Sequence, residues 1–223
     1  HRSDGDETLL TAMEKAWEWM VLRRMYITGG IGSVPELEGF GNDYELDPEY
    51  AYAETCAALA SLFWNWEMAL ITGEAKYSDL FEWQLYNAAA AGMGLSGENY
   101  LYNNPLSCKG GVTRKAWYAV PCCQSNLSRT WADLGKYIYS LGKDAIWTHQ
   151  YIGSRAKLQT DLQVCIETES GLPWNGKIRI KIEPATPARF AVHLRLPSWV
   201  SNIDEFSAIK VNGEPAAPLI HPI

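Results

Sequence analysis

The chain has no run of lysines or arginines, and its 223 residues carry a net charge of -7. An acidic balance without a basic patch argues against nucleic acid as a partner. No apolar run is long enough to span a bilayer, so no membrane-spanning segment is expected. No secretory leader is visible, although a chain that begins at His1 rather than Met leaves room for a leader or a domain ahead of it. The five cysteines are scattered and do not make the dense framework of a small secreted domain. A reducing compartment, the cytoplasm, is expected. There is no internal repeat and no low-complexity segment. The stretch 26–33 carries Gly29, Gly30 and Gly32 but lacks the Gly-Lys-Ser/Thr ending of a phosphate loop. Its glycines therefore point to special backbone angles or a close approach.

The hydrophobic fraction, 47%, is enough for one large domain or two small ones, each with its own core. Residues 7–25 form an amphipathic pattern in which Leu10, Met13, Trp17, Met20 and Arg24 recur at helical spacing, with Asp4 and Asp6 as candidate caps. From 34 to 49 no period holds and acids abound: Glu36, Glu38, Asp43, Glu45, Asp47 and Glu49. Most read as solvated loop charges, but an irregular loop of this length is uncommon unless functional. A second helix is expected over 54–72, stopped at Gly73, and a third over 77–91, stopped at Gly92. The stretch 93–120 is turn-rich, with a strand at 100–102. A fourth helix is expected from near Ser125 to near Leu141.

After Gly142 the period changes. Ile178, Ile180 and Ile182 alternate with Arg179, Lys181 and Glu183, and Phe190, Val192, Leu194 and Leu196 alternate with Ala191, His193 and Arg195. Both are half-buried strands. Asn212-Gly213 carries a hairpin signal. The fold class is therefore α then β, with a helical part over 1–142 and a β part over 143–223. The chain stops just after that hairpin, so the β part is expected to continue beyond it.

The chemistry gathers in Ala53-Glu54-Thr55-Cys56-Ala57 and Pro121-Cys122-Cys123. Three thiolates and a carboxylate make a complete tetrahedral donor set for zinc, although the spacing is not that of a zinc finger. Residues two apart do not share a helix face, so Glu54 and Cys56 can meet one metal only at a helix entrance or on irregular backbone. Cys122 and Cys123 would diverge on extended backbone and can meet one metal only at a turn. The plainer reading makes each thiol a small core residue, and it is the one expected for Cys108 and Cys165. A disulfide between Cys122 and Cys123 would be strained.

Several stretches together resemble glycoside hydrolase family 127, whose characterised members include β-L-arabinofuranosidases. They are Met25-Tyr26-Ile27-Thr28-Gly29-Gly30-Ile31-Gly32-Ser33, Glu38-Gly39-Phe40-Gly41, Ala51-Tyr52-Ala53-Glu54-Thr55-Cys56-Ala57, Tyr102-Asn103-Asn104-Pro105-Leu106, Pro121-Cys122-Cys123 and Leu194-Arg195-Leu196-Pro197-Ser198-Trp199. They run in order along most of the chain. One departure follows the cysteines, where Gln124-Ser125 replaces a pair of prolines usual in the family; this concerns the local turn and no ligand. The resemblance implies an (α/α)6 barrel followed by β-sandwich domains, with this chain holding the closing barrel helices and the start of a β domain. It implies zinc bound by Glu54, Cys56, Cys122 and Cys123, Cys122 as nucleophile, Glu38 as general acid/base and Tyr102 as a sugar contact.

The implied partner is a plant-derived oligosaccharide, with room for a homodimer, and the implied reaction is retaining hydrolysis of β-L-arabinofuranosides. Two other readings compete: a hydrolase of the same family acting on the branched acid sugar of pectin, and a zinc-stabilised sugar-binding module without turnover. The earlier barrel helices, which in the family carry sugar-binding histidines, are absent from these residues. Trp17, Trp64, Trp66 and Trp83 are therefore expected to lack partners, and the 223 residues alone are expected to bind zinc without turning over substrate.

Overall fold

The computed structural model describes residues 5–159, 163–200 and 209–216. Its contacts group the chain into a helical unit, His1–Ile71 with Leu80–Tyr137, and a β unit, Thr72–Asp79 with Ile138–Ile223.

In the helical unit, α1 spans Glu7–Arg23 and α2 Thr55–Thr72. Helix α3 spans Ala75–Gln84, of which the residues up to Asp79 group with the β unit, and continues as one π turn, Leu85–Ala89. Helix α4 spans Cys122–Ala132, followed by a 3-10 turn, Leu134–Tyr137. Asp6 caps α1 by accepting the Thr8 N–H at 2.8 Å, as its residue type predicts. Asp4 lies outside the described residues.

Buried residues recur along α2 at Ala58, Leu59, Leu62, Asn65, Met68 and Ala69, the three- and four-residue spacing of one helix face. Truncating Leu59 or Leu62 to Ala would cost about 2–5 kcal/mol. A buried polar chain crosses this face. Trp17 Nε1 donates to Asn65 Oδ1 at 2.6 Å, and Asn65 Nδ2 donates to Gln84 Oε1 at 3.0 Å. Gln84 Nε2 in turn donates to Ser61 Oγ at 2.9 Å and to the Gly29 carbonyl at 2.8 Å. Each amide is paired at both ends, the condition under which burying it costs little.

The chain explains the glycine-rich stretch. Gly29 has φ 81°, and a Cβ there would lie 2.7 Å from Gln84 Cγ; the glycine is required by packing. Three of the four tryptophans also correct an expectation. Trp17 is buried against α2, the Trp66 ring stands edge-on to Tyr137 at 5.4 Å, and Trp83, half-exposed, donates to the Ile27 carbonyl at 2.8 Å.

The β unit begins earlier than the periodicity predicts. Tyr139–Leu141 is strand β1 rather than the end of α4, and it pairs antiparallel with β2, Ala145–Thr148. The later strands are β3 Ser154–Leu158, β4 Val164–Ser170, β5 Ile178–Pro184 and β6 Ala191–Leu194. β6 pairs parallel with β2, and β3–β4–β5 form an antiparallel meander. β7 Lys210–Val211 and β8 Glu214–Pro215 form the expected hairpin, with Asn212 and Gly213 at φ 55° and 89°. Ile138, Tyr139, Ile146, Val164 and Ile166 make the core of this unit. On β4, Val164, Ile166 and Thr168 face inward and Cys165 outward. Cys165 and Cys108 are both exposed, contrary to the core role expected of them.

Candidate metal centre

Two helix starts build the site. Glu54 directly precedes α2 and Cys56 is its second residue, the helix-entrance arrangement that a two-residue spacing requires. Ala53, just before, takes φ 37°. Backbone bonds hold this entrance against the segment carrying Tyr102. Thr55 N donates to the Tyr102 carbonyl at 3.0 Å, and Asn104 Nδ2 donates to the Ala53 carbonyl at 3.0 Å. Thr55 Oγ1 donates to the Leu101 carbonyl at 2.8 Å. Tyr100 makes isolated bridges to Met93 and Lys115 rather than a continuous strand.

Cys122 and Cys123 are the first two residues of α4. The helix starts three residues before the expected Ser125, and this places both sulfurs on one turn. The replaced prolines do not disturb it, since Ser125 Oγ donates to the Pro121 carbonyl at 2.7 Å.

Ligand atoms of Glu54, Cys56, Cys122 and Cys123 all lie within 4.8 Å of one another. The Cys56 and Cys123 sulfurs are 3.5 Å apart and those of Cys122 and Cys123 3.8 Å. Glu54 Oε1 is 3.6 Å from the Cys122 sulfur and 3.5 Å from that of Cys123. A tetrahedron with bonds of about 2.3 Å has edges of about 3.8 Å, so these separations fit a single zinc-sized centre. They are far beyond a disulfide bond of about 2.05 Å. Soft thiolates favour zinc among the common divalent ions.

Without a cation the three thiols titrate as a coupled group. The hydrogen bond from Cys123, opposed by burial, lowers Cys56 to about 7. That same bond, with burial, pushes Cys123 up, while burial first of all raises Cys122. One thiolate is thus tolerated and two more are resisted. A divalent cation would relieve that resistance, because the ligating form of cysteine is the thiolate.

Tyr102 Oη lies 3.5 Å from the Cys122 sulfur. Its ring stands 6.3 Å from that of Tyr52 and 5.7 Å from that of Tyr118. The contact with Cys122, then burial, raises the Tyr102 phenol far above its usual range. Tyr52 is buried and its phenol is also raised, chiefly by burial, with Tyr102 and the Glu38 carboxylate acting on it as well. Glu38 itself is exposed and ends the 3-10 turn Pro35–Leu37 in a left-handed conformation, φ 46°. The other loop acids are tied locally. Asp43 bridges Arg23 and Arg24, Glu45 Oε2 accepts the Asn42 N–H at 2.6 Å, and Asp47 Oδ1 accepts the Glu49 N–H at 2.8 Å. Asn126, which the sequence reading passed over, donates from Nδ2 to the Cys56 sulfur at 3.1 Å. The available signal was its position one helical turn after Cys122.

Comparison with known proteins gives the class, a glycoside hydrolase. Residues 1–136 match the family described as beta-L-arabinofuranosidase, GH127 catalytic domain, and residues 145–221 match the GH127 middle domain. The chain belongs to glycoside hydrolase family 127. It is 32% identical, over 95% of its length, to the non-reducing end beta-L-arabinofuranosidase of Bifidobacterium longum subsp. longum, of which it covers 34%. Among solved structures, a GH127 beta-arabinofuranosidase superimposes with a TM-score of 0.83 at 41% identity, covering 87% of this chain and 31% of the other. A GH127 beta-L-arabinofuranosidase from Geobacillus stearothermophilus T6 gives a TM-score of 0.80 at 38% identity, covering 87% and 33%. The chain thus spans about a third of the length of these relatives. No helix among the described residues is long and apolar enough to cross a membrane.

Proposed function

We propose that the protein is a zinc-dependent retaining glycoside hydrolase that releases L-arabinofuranose from β-L-arabinofuranosides of plant oligosaccharides. In this reading the helical unit, ending at Tyr137, is part of an (α/α)6 barrel, and the β unit from Ile138 is the start of a β-sandwich. The observation that carries it is the convergence of Glu54, Cys56, Cys122 and Cys123 within 4.8 Å of one another, beside the Tyr102 hydroxyl, in a chain of this family. Those four residues would hold the zinc. Bound there, the metal supplies the charge that keeps the Cys122 thiol ionised at neutral pH, where a free thiol of pKa ~8.5 is mostly protonated.

The remaining chemistry belongs to the side chains. In the first step Cys122 Sγ bonds to the anomeric carbon, the bond from that carbon to the leaving oxygen breaks, and Glu38 gives its proton to that oxygen. In the second step Glu38, now ionised, takes a proton from water. The water oxygen bonds to the anomeric carbon and the C–S bond returns its electron pair to Cys122. Two displacements retain the configuration. With the sulfur ionised, the Tyr102 hydroxyl is the donor of their contact and fixes the direction of the Cys122 lone pairs. Tyr52, whose ring stands 6.3 Å from that of Tyr102 and whose phenol the Glu38 carboxylate helps to raise, lines the same neighbourhood.

An electrophilic analogue of L-arabinofuranose tests this in the full-length protein. The expected result is an adduct on the peptide containing Cys122, together with loss of turnover on a synthetic β-L-arabinofuranoside. Turnover that survives while Cys122 stays unlabelled would sink the assignment. A second reading, a sugar-binding module with a structural metal, is favoured by one observation: four protein donors fill a tetrahedral shell and leave no open position. In that case no turnover and no adduct would be seen.

A further inference from the structure

The cluster contains three sulfurs, and the proposed reaction needs one of them to attack while the others stay bound. The contacts outside the donor set differ from sulfur to sulfur. The Cys122 sulfur meets the Tyr102 hydroxyl at 3.5 Å. The Cys56 sulfur meets the Asn126 side-chain amide at 3.1 Å. The buried Cys123 sulfur meets Glu54 and the other two cysteines.

The amide has one permitted orientation. Arg129 Nε donates to Asn126 Oδ1 at 2.7 Å. A guanidinium has donors only, so the amide oxygen must face Arg129 and the NH2 group must face the sulfur. The sulfur of Cys56 is therefore an acceptor at this contact. Arg129 is itself anchored, its guanidinium lying 4.8 Å from the ring centroid of Phe63 on α2, where cation–π attraction holds it. Asn126 and Arg129 lie on α4 and Cys56 and Phe63 on α2, so two helices are joined through this contact. A thiolate that accepts an N–H from an amide held at its other end is fixed in direction as well as in place.

We propose that Asn126, oriented by Arg129, is a positioning residue that holds the Cys56 sulfur in place as a metal ligand. The inference rests on the metal reading given above. Partners of this kind around metal ligands set metal affinity by about 10- to 100-fold.

The test uses the full-length protein and two variants. Asn126→Asp keeps the shape and the acceptor for Arg129 but removes the N–H from the sulfur. Arg129→Met, at an exposed position, removes the orienting donor and keeps an apolar stem against Phe63. Zinc affinity is measured by competition with a chromophoric chelator. Cobalt(II)-loaded protein is then examined for its sulfur-to-cobalt charge-transfer band, a readout that a merely structural role would not move. Asn126→Asp is expected to weaken zinc binding about 10- to 100-fold and to shift the band, with a smaller change of the same sign in Arg129→Met. Wild-type affinity and an unshifted band in both variants would overturn this inference alone. If Asn126→Asp fails to fold, an unchanged Arg129→Met overturns it. A wild-type protein that binds neither ion would overturn the metal reading along with it.

Discussion

In the β unit, the guanidinium of Arg195, with 3% of its side chain exposed, is ion-paired with Asp79. Its Nε donates to the His149 carbonyl at 2.6 Å, and the Ser198 N–H donates to Asp79 Oδ2 at 3.0 Å. His149, also buried, is held between hydroxyls, Nδ1 to Ser78 Oγ at 2.9 Å and Nε2 to Ser140 Oγ at 2.7 Å. Each of these ionisable groups meets its complement within the chain. In the helical unit, three thiols and a carboxylate face one another, and the nearby additions are further hydroxyls and an amide. Burial there gathers groups of one kind, a set that could hold a metal ion. Buried polarity that is complete within the chain serves stability; buried polarity that lacks its counter-charge marks a site of chemistry.

The largest effect that would sharpen this contrast is expected at Cys122. Cys122→Ser should lower turnover of a β-L-arabinofuranoside on the order of 10³-fold or more while leaving the melting transition of the β unit in place. Next is Glu38→Gln. Loss on natural linkages should be about 10²- to 10⁴-fold, with much less on aryl glycosides whose leaving groups need no proton. Equal losses on both substrates would reduce Glu38 to a binding role.

The β unit should answer in stability instead. Asp79→Ala strands Arg195 and should cost about 3–5 kcal/mol in chemical denaturation, with turnover per folded molecule unchanged. A comparable loss of turnover would break the contrast.

The smallest effect concerns acid. Burial, with Arg195 adding to it, lowers His149 to about 4 from a usual 6.5. The unfolded chain therefore binds more protons between these values, and the neutral ring contributes stability that is complete above about 6.5 and is lost as pH falls toward 4. His149→Gln should remove that part of the acid slope, at most about 3 kcal/mol, as measured by denaturant midpoints at pH 7 and pH 4.5.

How far these features could be read in advance depended on the range of the interactions. A spacing of two positions predicted a helix entrance for Glu54 and Cys56, and α2 begins at Thr55. A turn was required for Cys122 and Cys123, and they occupy the first turn of α4. The grouping of all four was suggested by their donor chemistry and implied by the family resemblance, because loop closure over the sequence separation between Cys56 and Cys122 leaves no local trace. Burial of Cys165 was wrongly expected from its residue type, although the alternation Val164, Cys165, Ile166 on β4 sets it on the outer face. The strand at Tyr139–Leu141 was taken for helix, since a three-residue element shows too little period to read. The Arg195–Asp79 pair joins residues 116 apart, and neither local pattern nor propensity encodes it.

The central claim is that the four donors of the helical unit are completed by one metal ion. X-ray absorption at the zinc edge of the full-length protein, with metal content measured on the same sample, tests it most directly. The account predicts one zinc per chain, with three sulfur neighbours at about 2.3 Å and one oxygen at about 2.0 Å. A shell of nitrogen and oxygen alone, or protein without stoichiometric zinc after purification free of chelators, would contradict it.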